Sequence, residues 1–271
     1  SALWSQTASD FDIVIGGERM TVTSLSYVSD TFSRTSVDSW GSADTGQSWT
    51  NTGGAASEYD VGSGVGTHNH TSVNVSRQST VATPYNNANF DVTVTVSTDK
   101  LAVGGSQFVY AVGRWQDTNN MYYARLEFAT TAVVTLTLRK RVAGVDGVLG
   151  TFVLDETHAA GRQFNIRIQG IGTSIKARAW RTGYAEPDYW QTSATDSDIT
   201  ASGQVGVRGV LSSAASNTPV LISWDNFKTN ALTNQTLNVT RSVNGVVKSH
   251  ATGADVTLFK PAYAALGETA S

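Results

Sequence analysis

The chain contains no cysteine, so it can form neither disulfides nor thiolate metal sites. Its stability has to come from packing and sheet hydrogen bonds. Net charge is small as well, since 19 basic against 22 acidic residues leave −3. That balance offers no general attraction for nucleic acid or for an anionic membrane. Long apolar runs are missing, and none approaches the roughly 20 residues needed to cross a bilayer. The N-terminus has no basic segment followed by an apolar stretch, so no secretory signal is visible. Position 1 is Ser rather than Met, which points to a fragment or a processed chain. Leu, Glu and Lys are sparse beside Ser, Thr, Gly, Asn and Val, so strong helix formers are few and the composition is that of a β protein.

A chain of 271 residues has room for one large β domain, or for one domain with a smaller companion, and for a buried core. Apolar and polar residues alternate at a period of two along most of it. Phe90, Val92, Val94 and Val96 point one way, while Asp91, Thr93 and Thr95 point the other. Further strands are expected near 106–115, 121–128, 132–141, 148–154, 163–169, 174–180, 204–210 and 219–227. Polar or glycine-rich breaks separate them, such as Asp117-Thr118-Asn119-Asn120 and Gly170-Ile171-Gly172. Many short strands at this spacing predict a sandwich or a barrel. No long helical stripe occurs, and 155–161 has room for one helical turn at most.

The two ends read differently from the middle. Residues 10–15 and 18–25 flank Gly16-Gly17, a pair that tolerates the positive φ of a tight turn. Residues 235–241 and 246–250 flank Asn244-Gly245, a strong hairpin signal, and a last strand is expected over 255–259. Two layouts fit. Either a sandwich is inserted in a small β domain built from both chain ends, or separate small hairpins precede and follow it. The first layout gives a small split domain, 1–29 with 230–271, around a β-sandwich at 30–229.

The middle segment carries Asp30-Thr31-Phe32-Ser33-Arg34 with Trp40-Gly41, and then Trp49 and Gly53-Gly54 before Tyr59. Gly113-Arg114-Trp115-Gln116-Asp117 and Asn120-Met121-Tyr122-Tyr123-Ala124-Arg125-Leu126 come next. Farther on stand Gly172-Thr173, Lys176-Ala177-Arg178-Ala179-Trp180, Glu186-Pro187 with Trp190, Gly203-Gln204-Val205-Gly206-Val207-Arg208, and Trp224-Asp225-Asn226-Phe227. In order and spacing this resembles the concanavalin A-like lectin/glucanase superfamily, in its laminin-G-like branch. The flanks carry Gly17-Glu18-Arg19-Met20-Thr21-Val22-Thr23 and Val239-Thr240-Arg241-Ser242-Val243-Asn244-Gly245-Val246-Val247-Lys248-Ser249-His250, closed by Pro261-Ala262. They resemble a module at the ends of minor tail proteins of actinobacterial phages and prophages. Together the resemblances imply an all-β protein, with a concanavalin-like jelly-roll β-sandwich inserted in a small β domain formed by the two chain ends. They also imply a place in the virion, as part of a phage tail, with other tail subunits as partners. A homotrimer is a common assembly of such proteins, although the sequence has no heptads to support one.

Glycoside hydrolases of the resembled fold carry two or three carboxylates on one strand, as in Glu-x-Asp-x-x-Glu. This chain has no such run: Asp155-Glu156 are adjacent, so a strand sends them to opposite faces, and Glu127 stands alone. The chain is therefore expected not to be an enzyme, with polysaccharide cleavage the least favoured reading. His68-Asn69-His70 would place two imidazoles on one strand face, yet no acidic third ligand lies near, so a transition-metal site is not favoured. No G-x-S-x-G motif occurs. Gly62-Ser63-Gly64-Val65-Gly66 is followed by neither a helix pattern nor a lysine, so it reads as a flexible loop rather than a phosphate cradle. No cofactor is required. The resemblance implies one metal, a structural Ca²⁺ near the first and last strands, with Asp30 and Asp225 as oxygen ligands. The plainer alternative is that both aspartates cap turns or bond to backbone amides.

The strongest functional pattern is an arginine-bearing face. If Ile175, Ala177 and Ala179 point inward, then Lys176, Arg178 and Trp180 point out. Likewise Ile166 and Ile168 leave Arg167 and Gln169 outside, and Val134, Leu136 and Leu138 leave Arg139 and Arg141. Tyr122, Ala124 and Leu126 leave Tyr123 and Arg125. If these strands neighbour one another, a single sheet face gathers Arg, Tyr and Trp. Aromatic planes stack on sugar rings, and guanidinium forks bind hydroxyls or anionic groups. The expected glycan-binding set is Arg114, Tyr123, Arg125, Arg139, Arg167, Arg178, Trp180 and Trp190, the last in a loop and the tryptophan expected to be most exposed. Trp40, Trp49, Trp115 and Trp224 sit beside small or apolar residues and are expected in the core. The expected ligand is a bacterial cell-wall or surface polysaccharide. The same face would serve equally to pack against another tail subunit in a purely structural protein. Neither nucleic acid nor membrane insertion is expected.

Overall fold

A computed structural model describes residues 11–25, 27–82, 88–230 and 237–259. Pro261-Ala262 and the first arm of the expected C-terminal hairpin up to residue 236 lie outside the described residues. In chain order the strands are β1 (Phe11–Ile15), β2 (Glu18–Leu25), β3 (Ser29–Asp30), β4 (Trp49–Thr52), β5 (Tyr59–Gly62), β6 (Val65–His70) and β7 (Arg77–Val81). They continue with β8 (Phe90–Thr98), β9 (Gln107–Asp117), β10 (Asn120–Phe128), β11 (Val133–Val142), β12 (Val145–Thr157) and β13 (Phe164–Ile171). The last six are β14 (Ser174–Arg181), β15 (Thr192–Thr195), β16 (Gln204–Leu211), β17 (Val220–Thr229), β18 (Leu237–Thr240) and β19 (Val256–Leu258). A 3-10 turn at Ala56–Glu58 is the one helical element among the described residues. The expected helical turn at 155–161 is absent, because β12 runs on to Thr157.

The chain divides into two compact units, residues 1–26 with 233–271 and residues 27–232. In the first, the sheet order β18-β2-β1-β19 draws strands from both chain ends. Gly16 and Gly17 close the β1–β2 hairpin at φ 54° and 87°, positive values that a residue with a side chain rarely adopts. The expected C-terminal hairpin does not form: Asn244-Gly245 turns the chain, but the residues after it do not pair with β18. Glu18 captures them instead. Its buried carboxylate accepts from Arg241 Nε (2.9 Å), the Lys248 amide (3.0 Å) and His250 Nε2 (2.8 Å). Those bonds, Arg241's first, hold the Glu18 carboxyl at about 2.

The second unit is a sandwich of two antiparallel sheets. One has seven strands in the order β12-β11-β10-β9-β16-β7-β4. The other has eight, in the order β15-β14-β13-β8-β17-β6-β5 with β3 paired to β17. Alternation builds the core between them: Val92, Val94 and Val96 of β8 and Ile166 and Ile168 of β13 meet Tyr122, Ala124 and Leu126 of β10 and Leu136 and Leu138 of β11. Gly62-Ser63-Gly64-Val65-Gly66 is not a flexible loop. It contains the tight β5–β6 turn, with Ser63 and Gly64 at φ 54° and 77° and Gly62 paired to Val65.

Three histidines are sealed in this unit. His68 stacks on Trp40 at 4.8 Å and bonds Ser79 Oγ at 2.9 Å; His158 stacks on Phe128 at 4.1 Å and bonds Thr98 Oγ1 at 2.9 Å. Burial, with nearby arginines, lowers His70 to about 3 and His158 to about 4. Glu58 goes the other way for a carboxylate in a core: burial opposes its charge, but hydrogen bonds from Arg77, Thr71 and the Ala55 amide hold it at about 2. Below the ordinary histidine value of about 6.5 the unfolded chain takes up protons that the folded imidazoles refuse, so stability is complete above that value. It should fall as pH drops toward 4, by up to about 1.4 kcal/mol per pH unit for each histidine. Glu58 should add a further loss between its ordinary value and about 2. Urea unfolding at about pH 7 and about pH 5 checks this, with the lower midpoint expected at the acidic value.

Candidate functional site

The expected arginine face is two faces. Tyr123, Arg125 and Arg139 lie on β10 and β11 in the seven-stranded sheet, whereas Arg167, Arg178 and Trp180 lie on β13 and β14 in the eight-stranded sheet. Both groups point away from the core, so they stand on opposite sides of the sandwich. The physical reason is the crossing after β12: period-two alternation separates inside from outside, but it does not say which layer a strand joins.

On the eight-stranded sheet Arg167 and Arg178 are already matched. Arg167 grips the buried Asp91 through Nε (2.8 Å) and Nη2 (2.7 Å), and Nη1 donates to Glu186 at 2.8 Å. Arg178 reaches the same Glu186 at 2.6 Å and the Pro187 carbonyl at 2.5 Å. Trp190 lies over Arg178 at 4.4 Å and is half-buried, as Trp115 and Trp180 are; Tyr184 and Tyr189 are the exposed aromatics of that loop. Trp180 borders a shallow groove of about 350 Å³ with Thr93, Thr95, Asn165 and Lys228.

Arg114 is not a surface residue. A β-bulge at φ 46° turns it inward, where it donates to the carbonyls of Ala88 (2.6 Å), Ile199 (2.7 Å) and Gly172 (2.5 Å). It ties three separate loops and has no open donor fork for a ligand. Asp30 and Asp225 do not fit a calcium site. The buried Asp30 takes Arg34 on both oxygens (2.7 and 2.9 Å), Trp49 Nε1 at 2.7 Å and the Phe32 amide at 2.9 Å. Ca²⁺ needs six or more oxygen ligands free to face it, and these are committed to a cation and N–H donors. Asp225 caps its neighbour, accepting from the Asn226 amide at 2.6 Å, as in the plainer alternative. Among the described residues no group of three or more His, Asp or Glu is placed to hold a metal, and His68 and His70 belong to the core.

The outer face of the seven-stranded sheet is different in kind. On β9 and β10, Val109, Ala111, Tyr122 and Ala124 join the main core, so their alternates face outward; those alternates, Tyr110, Val112, Met121 and Tyr123, form a second cluster. Although on an outer face, Val112 and Met121 are 0 % exposed, Tyr123 2 % and Tyr110 7 %. Trp115 packs on this cluster from the end of β9, not in the core where its neighbours placed it. Register extends the floor sideways. One row reads Gln78, Arg208, Tyr110, Arg125 and Thr137 across β7, β16, β9, β10 and β11. The next reads Thr80, Gly206, Val112, Tyr123 and Arg139. Gly206 presents no side chain between Thr80 and Val112, which keeps that row low. Gln78, Thr80, Arg208, Tyr110 and Trp115 escaped the sequence reading of the site.

Polar atoms on this floor are unequally served. Tyr123 donates its hydroxyl to Asp146, which also takes Arg141 at 2.7 Å, and Arg125 pairs with Glu127 at 3.1 Å. Burial first, then the Asp146 contact, pushes the Tyr123 phenol well above its ordinary range. Burial likewise raises Tyr110, against the pull of Arg208, Arg125 and Arg139 around it. By contrast Gln78 Nε2, Thr80 Oγ1, Trp115 Nε1, Gln204 Oε1 and the Nε atoms of Arg125, Arg141 and Arg208 are buried with no hydrogen-bond partner. Buried polar atoms are almost always paired, and these seven have no side-chain or backbone partner.

No protein-family model and no curated protein sequence matches this chain. Among solved structures it is similar to the CBM2 module of the evolved Dit of Lactobacillus casei BL23 phage J-1, at 12 % identity and TM-score 0.51, over 80 % of this chain and 98 % of that one. It is also similar to the GH43 protein BlXynB of Bacillus licheniformis, at 12 % identity and TM-score 0.50, over 76 % of this chain. That match takes in 39 % of the GH43 chain. At such identity the likeness concerns the fold alone: a concanavalin-like, jelly-roll β-sandwich, as the sequence led one to expect.

The new place of Arg114 gives a direct test. Arg114→Met deletes three donors and leaves three carbonyls unpaired, so urea unfolding should show a loss of about 3 kcal/mol or more. Ligand binding by the folded fraction should be unchanged.

Proposed function

We propose that the sandwich is a non-enzymatic glycan-binding module, and that the outer face of the seven-stranded sheet is its binding site. The observation that carries this reading is the half-buried Trp115 at the rim of the Tyr110–Tyr123 cluster, opposite the half-buried Gln204 and in the same strand pair as the half-buried Arg208. Sugars suit such a surface: their C–H faces lie on aromatic rings while their hydroxyls fill hydrogen bonds in the plane of the sheet. The similarity to a carbohydrate-binding module of a phage protein supports the ligand class. The resemblance of the flanks to phage minor tail proteins supports a setting in a virion tail, facing a bacterial cell-wall or surface polysaccharide. A binding rather than hydrolytic role fits the carboxylates of this face, because Glu127 and Asp146 are each engaged by an arginine.

Titration with soluble bacterial cell-wall polysaccharide should change tryptophan fluorescence. That change should be lost in Trp115→Phe and kept in Trp180→Phe. The opposite pattern would move the ligand to the eight-stranded sheet. Arg208→Gln should weaken binding by about 10-fold, the value of one charge-assisted hydrogen bond. No reducing ends should appear on prolonged incubation; their release would make the protein an enzyme.

A further inference from the structure

The end of the sandwich where β12 passes to β13 holds a second open cleft, away from the Trp115 rim. It measures about 370 Å³ and is lined by Arg162, Gln163, Arg181 and Thr182 together with the small residues 159–161. One wall is the β12–β13 loop, and it is anchored at both ends. His158 stacks on Phe128 at 4.1 Å, and its amide donates to the Ala132 carbonyl at 2.8 Å. The Gly161 amide donates to the Thr98 carbonyl at 2.8 Å. Gly161 sits at φ 71°, a value that turns the chain and that a residue with a side chain rarely adopts. The other wall is the end of β14, where the Thr182 amide donates to the Gln163 carbonyl at 3.0 Å. The cleft is therefore preformed.

Two guanidiniums share this one cleft. Arg181 faces Phe164 across the β13–β14 pair, and Arg162 stands two residues before Phe164. Arg162 gives one nitrogen, Nη1, to the Thr157 carbonyl and to Thr157 Oγ1 (3.1 Å). Arg181 lies over the ring of the exposed Tyr184 at 5.4 Å. Neither arginine forms an ion pair among the described residues. The carboxylates closest in sequence do not serve them: Glu186 holds Arg167 and Arg178, and Glu156 makes no ion pair. Both side chains are half-buried, and none of their nitrogens is sealed off from solvent without a partner. Like charges gathered in one cleft disfavour each other, and an anion between them removes that cost.

We infer that this cleft is an oxyanion site, which takes a carboxylate or phosphate group between Arg162 and Arg181. Thr182 Oγ1 accepts from Asn165 Nδ2 at 3.1 Å, so its own proton is free to donate to the same group. The exposed Gln163 adds an amide donor at the rim. A neutral hydroxyl would meet these donors but leave both charges uncompensated. The site goes beyond the glycan reading and does not rest on it. No tryptophan lines the cleft, so the loss of the Trp115 fluorescence response bears on the glycan reading alone.

Proton–nitrogen NMR titrations with galacturonate oligomers, glycerol phosphate oligomers and neutral dextran oligomers test it. Saturable shifts of the Gly161 amide and of the Arg162 and Arg181 Nε–H signals are expected with an anionic oligomer and not with dextran. The oligomer that binds tells carboxylate from phosphate. Affinity should fall at least about tenfold between about 50 mM and about 500 mM salt. Arg181→Gln should weaken binding by at least about tenfold, and Arg181→Lys, which keeps the charge, by less. The urea midpoint of both variants should stay near that of the parent, since Arg181 supports no carboxylate. The absence of saturable shifts with either anionic oligomer would overturn the inference. So would shifts of equal size with dextran, or undiminished affinity in Arg181→Gln.

Discussion

The central strands of the seven-stranded sheet have to satisfy two environments at once. Inward, Val109, Ala111, Tyr122 and Ala124 close against the facing sheet; outward, Tyr110, Val112, Met121 and Tyr123 are almost as well hidden. A side chain hidden on the outer face gains from burial as a core residue does, but its polar atoms cannot rely on bulk water. They must find partners in the plane of the sheet or go without. Tyr123, Asp146 and Arg141 find one another, and Arg125 finds Glu127. Gln78, Thr80 and Arg208 do not. The candidate site is what remains after that internal matching.

The opposite layer shows the alternative solution. There Asp91, buried on the outer face of β8, receives Arg167, Gln169 (2.8 Å) and Asn230 (2.9 Å), and Glu186 brings its loop down onto Arg167 and Arg178. Trp190 covers the guanidiniums. The same residue types, Arg and Trp, therefore act as fasteners on one side of the sandwich and stand partly open on the other. What distinguishes them is whether a carboxylate arrives from a neighbouring strand or loop, and only the register reveals that.

Much of the architecture was legible in the amino-acid order. Val92, Val94 and Val96, or Ile166 and Ile168, can bury themselves on only one face of a strand, so the alternation placed Tyr123, Arg125, Arg167 and Arg178 outside correctly. It could not say that β10 and β13 lie in different layers, because inside and outside look the same from either sheet. β7 was illegible for another reason: Arg77, Gln78, Ser79 and Thr80 offer no apolar stripe, and they are buried because β16 and β4 lie on either side. Arg114 defied its neighbours because a bulge rotated it. Asn244-Gly245 did turn the chain, but the carboxylate of Glu18 outcompeted strand pairing for the segment that follows. Arg208 and Tyr110 were within reach of the same alternation rule, since Val205 and Val207 and then Val109 and Ala111 point inward beside them.

The way the sandwich is closed has an evolutionary and practical corollary. Its first strand, β3, pairs with the end of its last long strand, β17, through Asp30 opposite Phe227 and Ser29 opposite Lys228. Val28 and Thr229 then clasp each other by two bonds of 2.9 Å. The polypeptide thus arrives and departs at a single point, like a plug whose two pins sit side by side. Such a module can be lifted out of one chain and set into a turn of another without stretching either. Recombination could exchange recognition surfaces while leaving the carrier unaltered, and a protein engineer could do the same with two splice junctions.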